Sequence, residues 1–345
     1  MLEKLPKVGR NTSCLCGSGK KYGKCCMDKD VETQLKRIMN EDLQNIHQEI
    51  HEKEFSIPHR PKSFWEWLGW RLRRSPGDVY HGLSRKQVRN LVDFPFASPD
   101  LVRFMDPLSV SPQAPVVTLF EMMRCAMAEK GLRGTAKGNL PRNFCRESFE
   151  KYLDQWPNRV GPLRITINKE EDFWDLHIAR ILAVGGGWME LRSGKFFLSC
   201  KGMDVLDDLG WAGLYPLLLH DFIHDFDWSC MDGYGDIASV QSCAVFTLYL
   251  LCTYGDTWRS KRFYEDCFLK AFPKALLEVR PLQYMSKEAH LKQCYSWRSL
   301  ARFGEFFCLV ERQIEQDCLL QDRYDVRKLP LLDEVVRFHA GEPLP

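Results

Sequence analysis

Apolar residues recur every three to four positions at Leu35, Ile38, Met39, Leu43, Ile46 and Ile50. This spacing puts them on one face of a helix. Pro58, Pro61 and the polar run HRPKS interrupt the pattern, which predicts a linker helix over 31–57 and a body from 58 onward. The sharpest change of period in the body lies at 172–209. There FWDLHIARILAVGG predicts an amphipathic helix stopped by Gly185, Gly186 and Gly187, WMELRSGKFFLS a hairpin turning at Ser193-Gly194, and KGMDVLDDL a further helix. Helix, hairpin and helix in that order form the closing half of a winged-helix unit. An earlier copy is read at 116–153, where a helix ends at Gly131, a short extended turn passes Thr135, and Leu140-Pro141 opens another helix. A later copy is read from SLARFGEFFCLVERQI and YDVRKLPLLDEVVRFH. A mainly helical segment, 212–282, precedes it.

Length sets the scale of the body. With 345 residues, 45% of them hydrophobic and 27% charged, the chain can bury a core shared by two or three units. No stretch approaches the roughly 18 consecutive apolar residues of a membrane span, and the longest apolar run, 244–252, predicts a buried helix. The opening residues MLEKLPKVGRNTSC carry charges where a signal peptide needs an apolar region, so a cytoplasmic location is expected. The formal net charge of +2 makes any electrostatic case for nucleic acid a local one.

Chemistry concentrates in the first 26 residues. Cys14 and Cys16, then Cys25 and Cys26, flank the loop GSGKKYGK. Four thiolates crowded this way can close a tetrahedral shell around one ion, with Zn²⁺ favoured and Fe²⁺ the alternative. Gly17 and Gly19 let the backbone turn tightly and aim N–H groups at the sulfurs. Lys20, Lys21 and Lys24 sit where they offset the −2 of four thiolates and one dication. A closed thiolate shell leaves no position for a reacting water, so this metal is structural. The GSGK string does not complete G-x-x-x-x-G-K-[ST], which excludes nucleotide hydrolysis by a phosphate loop. Ten further cysteines (125, 145, 200, 230, 243, 252, 267, 294, 308 and 318) are scattered, and most read as small buried hydrophobes.

The segment GRNTSCLCGSGKKYGKCC, 9–26, resembles the SEC-C motif, the zinc-binding tail of the bacterial secretion ATPase SecA. The resemblance implies that Cys14, Cys16, Cys25 and Cys26 are the metal ligands. It also implies a module that touches partners, among them chaperones, ribosomes and lipid head groups, rather than a catalytic one. Here the module stands at the amino end, with no motor domain beside it. The body strings TAKGNLPRNF, FFLSCKGMDVL, FDWSCMDGYGD and LYLLCTYGDTWR resemble an uncharacterised family of plasmid and prophage proteins, some of which also carry SEC-C motifs. That likeness implies architecture, and mobile-element company favours regulation, defence or nucleic-acid handling.

Two other constellations bear on function. SFWEWLGWRLRRSP interleaves Trp65, Trp67 and Trp70 with Arg71, Arg73 and Arg74, a pattern that suits either a buried aromatic helix with a cationic edge or a phosphate-facing groove. Within winged-helix units, Arg142, Arg146, Arg192, Lys195 and Lys201 would be the next nucleic-acid contacts, because recognition helices and wing tips supply them. In HDFIHDFDW, His220 and His224 stand one helical turn apart among Asp221, Asp225 and Asp227, which permits a hydrolytic metal site. Against it, each i+1 aspartate should face another side of the helix, and no glutamate completes HExxH. His47 and His51 form a similar pair on the linker, expected to be exposed. No G-x-S-x-G elbow is present.

The sequence thus predicts a mainly α chain with small β-hairpins, an α+β fold. Its parts are a SEC-C zinc knot (1–30), a linker helix (31–57) and a body of winged-helix-like units (58–345, with sub-units 58–160, 161–282 and 283–345). The function it favours is a cytoplasmic zinc-binding adaptor or regulator whose knot contacts a macromolecular partner, protein or ribosome, and whose body binds protein or nucleic acid. The alternatives are a metal-dependent hydrolase or nuclease at His220, His224, Asp221 and Asp225, and a winged-helix DNA-binding protein of mobile-element origin.

Overall fold

The computed structural model describes residues 79–128, 130–159, 165–283, 285–314 and 323–339, together with Lys21 and Lys24. The cysteine knot, the linker helix with His47 and His51, and the Trp/Arg segment with Arg71, Arg73 and Arg74 lie outside the described residues. The body combines α and β structure, as the mixed pattern of periods predicts.

Two stretches of the body run through the same order of elements. The first module opens with α2 (Pro115–Met127), since α1 (Arg85–Asp93) and β1 (Val102–Phe104) precede it. It continues through β2 (Leu132–Arg133), α3 (Arg142–Gln155), α4 (Trp174–Gly185), β3 (Met189–Arg192) and β4 (Lys195–Leu198). Its sheet order is β2-β4-β3, all antiparallel. The linking helix α5 (Cys200–His224) and the short α6 (Ala238–Ser242) follow. The second module then runs α7 (Ala244–Tyr254), β5 (Arg259–Ser260), α8 (Lys261–Ala271), α9 (Lys287–Tyr295) continued by a π-helix (Ser296–Gly304), β6 (Val310–Ile314) and β7 (Tyr324–Lys328). Its sheet order is β5-β7-β6, the same permutation. After α10 (Pro330–Val335), β8 (Val336–Phe338) pairs antiparallel with β1 and so ties the end of the body to its beginning.

The pairing of β2 with β4 changes how the sequence copies combine. The stretch read as an earlier copy and the one read as the clearest copy share one sheet, through Leu132 opposite Phe196 and Arg133 opposite Lys195. They are two halves of the first module, a pairing hidden in the sequence because β2 is only two residues long.

Local rules explain most boundaries. The β3–β4 hairpin turns where expected, with Ser193 at φ 50° and Gly194 at φ 74°, and positive φ at both positions matches the twist of the flanking strands. Ser199 then caps α5 by accepting from the Gly202 N–H at 3.0 Å. Gly210, at φ 60°, interrupts the helical path inside α5, which explains why KGMDVLDDL reads as a helix of its own. Helix α1 begins with a capping box between Ser84 and Gln87.

The core runs through both modules. Every residue of α7 from Ala244 to Leu251 is buried, so this helix is surrounded, as its uninterrupted apolar run predicts. An aromatic cluster of Phe222, Trp228, Phe303, Phe306 and Phe307 packs α5 onto the end of the π-helix, with Phe222 and Phe303 stacked at 5.6 Å. A buried ionic network then links the modules. Arg159 donates to both oxygens of Asp175 at 2.7 and 3.0 Å, to Glu305 at 2.9 Å and to the Ala301 carbonyl at 3.0 Å. The Tyr152 hydroxyl adds a 2.5 Å bond to Asp175, and Arg312 a 2.7 Å bond to Glu305. Arg159 holds the Asp175 carboxyl below its ordinary range although burial opposes that.

Candidate functional site

Within the cysteine segment, Lys21 and Lys24 are exposed, and the Lys24 N–H donates to the Lys21 carbonyl at 2.8 Å. That tight turn presents two cations to solvent. Lys20 and the four cysteines lie outside the described residues, so the fit to a metal rests on donor chemistry: four soft sulfurs suit a tetrahedral zinc site.

The histidine pair sits at the carboxyl end of α5. The rings of His220 and His224 stack at 5.5 Å, and Phe96 lies 4.3 Å from His220. His220 Nδ1 is 3.4 Å from Asp221 Oδ1, and His224 Nδ1 is 2.7 Å from Asp225 Oδ1. The expectation that each i+1 aspartate would face away is corrected: in the last turn of α5 each comes within reach of the histidine before it through its side-chain conformation. Ligand atoms of His220, Asp221 and Asp225 lie within 4.8 Å of one another, whereas His224 stands outside that group. Asp221 is already engaged, its Oδ2 accepting from the buried Trp188 indole N–H at 2.8 Å. Asp227 instead caps the next turn by accepting from the Ser229 N–H at 2.8 Å, and hydrogen bonds from Ser229 hold its carboxyl below the ordinary range. A cleft of about 450 Å³ opens beside the group, lined by His224, Asp225, Asp227, Asp236 and Arg298. Arg298 is not free in it, since a bidentate pair ties it to Asp232 at 2.7 and 2.9 Å.

The basic candidates divide into anchored and presented groups. Arg142 donates to Asn168 at 2.9 Å and Arg146 to the Ile167 carbonyl at 2.8 Å, so both fasten α3 to the 167–168 segment. Lys201 donates to the Gly186 carbonyl at 2.8 Å and lies 3.6 Å from the Trp188 ring centroid. The hairpin tip differs. Arg133, Lys195 and Arg192 sit side by side across three strands, all exposed. Arg192 pairs with Glu190 at 3.0 Å, and Lys195 donates to the Lys130 carbonyl at 3.1 Å. Like charges placed opposite one another oppose pairing, so this edge is strongly electropositive at a cost to the sheet. Arg133 escaped the sequence reading because nothing local shows that β2 joins this sheet.

The scattered cysteines are less uniformly buried than expected. Among the nine described, Cys145, Cys243, Cys267 and Cys294 are buried, while Cys125, Cys200 and Cys230 are exposed. Burial pushes the Cys145 and Cys294 thiols up to about 12, which makes them inert. No described helix is long and apolar enough to cross a membrane.

Sequence reading also passed over Arg159, Asp175, Glu305 and Arg312, which the fold gathers from four separate segments. Their one sequence signal is a charge inside an otherwise apolar helix pattern, as with Asp175 beside Leu176 and Ile178. Comparison with known proteins bears on the amino end alone. No curated protein and no solved structure matches the chain. The SEC-C motif family matches residues 10–28, and that segment, with Cys14, Cys16, Cys25 and Cys26 inside it, is a SEC-C motif.

Proposed function

We propose that this protein is a zinc-binding adaptor or regulator. Its SEC-C module holds Zn²⁺ through Cys14, Cys16, Cys25 and Cys26 and contacts a macromolecular partner through a surface that includes Lys20, Lys21 and Lys24. The observation that carries this reading is the SEC-C match over residues 10–28, joined to a donor set suited to a closed structural site. Zinc in this reading stabilises the knot and supplies no reacting water.

The two modules of the body are, in the same reading, winged-helix units, an assignment supported by the shared order helix, strand, helix, helix, strand, strand and the shared sheet permutation. In a winged-helix protein the third helix is the usual reader of the major groove. Here the third helices are turned toward each other. The Arg302 guanidinium of the π-helix lies 3.5 Å from the Trp174 ring centroid of α4, and Trp174 meets Phe306 at 6.3 Å. Neither helix offers a free reading face, which favours an adaptor body over a sequence-specific DNA reader. A nucleic-acid contact, in this reading, falls to the wing tip at Arg133, Arg192 and Lys195, where it would be a phosphate contact weakened by salt.

A second reading, a metal-dependent hydrolase or nuclease, is favoured by one observation: the approach of His220, Asp221 and Asp225 beside a cleft. One experiment separates the two. Metal analysis of the full chain, of Cys14→Ser/Cys25→Ser and of His220→Ala is expected to give one zinc per chain, lost only in the cysteine variant together with the copurifying partner. A second metal equivalent, lost in His220→Ala, would establish the hydrolase reading instead, and a cysteine variant that kept its metal and partner would overturn the first.

A further inference from the structure

We propose that the cleft between α4 and the π-helix binds a small aromatic carboxylate. The cleft holds about 220 Å³. Cofactor and drug-sized ligands occupy clefts of roughly 300–1,000 Å³, so this one suits a single ring with its acid group rather than a nucleotide. Its walls combine the aromatic rings of Phe149, Phe173, Trp174 and Trp297 with charged side chains.

Its polar groups are arginines with unused donors. Arg312 is 7% exposed in its side chain and donates one bond, to Glu305 at 2.7 Å. Its Nε and second terminal nitrogen are buried without a partner, as is Arg302 Nε. No described residue accepts a hydrogen bond from Arg302, whose guanidinium instead lies against Trp174 at 3.5 Å and Trp297 at 4.6 Å. Buried guanidinium donors are seldom left unpaired, because each carries the full cost of its lost hydration.

The pairing is also uneven. Among the described residues Arg159 and Arg312 pair with Asp175 and Glu305, whereas no carboxylate pairs with Arg302. Asp172 also lines the cleft, but its Oδ2 accepts the N–H groups of Asn168 and Lys169 at 2.8 and 3.1 Å, and no arginine of the cleft pairs with it. Burial, with Arg159 and Arg312 close by, brings Arg302 down to about 10, so it stays charged at neutral pH. A carboxylate would supply one negative charge and planar acceptors that match a guanidinium fork, and an attached ring would meet the aromatic walls. This ligand site is independent of the amino-terminal metal.

The test is titration of the full-length protein with benzoate, read by tryptophan fluorescence and by the melting temperature, with benzamide and inorganic phosphate in parallel at matched ionic strength. Benzoate is expected to give a saturable fluorescence change and a raised melting temperature, while benzamide and phosphate give neither. Arg302→Met, which keeps the stack and loses the charge, should weaken benzoate binding about tenfold or more, the scale of one charged hydrogen-bonded pair. The wild-type arms stand alone if that variant does not fold. No saturable response to benzoate, an equal response to benzamide or phosphate, or unchanged binding in a folded Arg302→Met would overturn the proposal.

Discussion

The two modules share one order of elements and differ in what they do with it. In the first, α2 keeps a polar face, where Arg124 and Glu121 pair in the open at 2.6 Å, and the β3–β4 hairpin tip projects cations into solvent. In the second, α7 is buried on every side, and β6 and β7 pair over five positions from Val310 opposite Lys328 to Ile314 opposite Tyr324. Their third helices diverge as well. Helix α4 is regular, whereas α9 passes into a π-helix that turns Arg298, Leu300 and Phe303 inward. One architecture therefore serves as core in one place and as presented surface in the other. The sequence decides which by how many charges it allows on the first helix and the hairpin tip.

The comparison breaks most severely at the network joining the modules. Asp175→Ala leaves Arg159 buried with half its hydrogen bonds gone, and removing one member of a buried pair costs about 3–5 kcal/mol. Urea unfolding should show that loss, while Arg89→Ala, an exposed change, should stay within about 0.5 kcal/mol. The pH dependence follows from the direction of the Asp175 shift. Its folded pKa lies below its unfolded one, so its contribution is present above the unfolded carboxylate pKa and is lost as pH falls through the folded value. The stability gap between wild type and Asp175→Ala should thus narrow in acid. A gap constant down to strongly acidic pH would show that the carboxylate charge is not what joins the modules.

A smaller effect sharpens the contrast between first helices. Leu250 in α7 is fully buried, so Leu250→Ala should cost about 2–5 kcal/mol through lost transfer energy and the cavity left behind. Met122 on α2 is only half-buried and borders a surface cleft, so Met122→Ala should cost distinctly less in the same denaturation assay. Equal costs would mean that α2 is as enclosed as α7.

How much of this was legible depended on range along the chain. The buried α7, the Ser193-Gly194 turn and the helix after Ser199 follow from neighbours a few residues apart, and the sequence shows all three. Pairing of Leu132 with Phe196 spans more than sixty residues and rests on a two-residue strand, too short for any periodic signal. That is why two halves of one module resemble separate copies. The ionic network failed to show for the same reason, since Arg159, Asp175, Glu305 and Arg312 come from distant segments and each alone resembles a surface charge. The approach of Asp221 to His220 was hidden too, because successive helix positions diverge and only the side-chain conformations bring the two together.

The mildest test asks whether the β3–β4 hairpin is held by its turn or by its charges. Gly194 has φ 74°, and a Cβ added there would meet nothing within 4 Å, so Gly194→Ala carries only the backbone penalty of a left-handed conformation. That penalty is about 1–2 kcal/mol for an ordinary residue. Gly194→Asn should cost less, because asparagine tolerates this conformation. Arg192→Ala at the same tip loses an exposed pair with Glu190 and a guanidinium contact 5.1 Å from the Phe197 ring centroid, and at exposed sites each contributes about 1 kcal/mol or less. The expected order of destabilisation in thermal melts is therefore Ala at 194, then Asn at 194, then Ala at 192. If Arg192→Ala were instead stabilising by as much as Gly194→Ala destabilises, repulsion among Arg133, Arg192 and Lys195 would dominate the tip, and the hairpin would be a surface kept charged against its own stability.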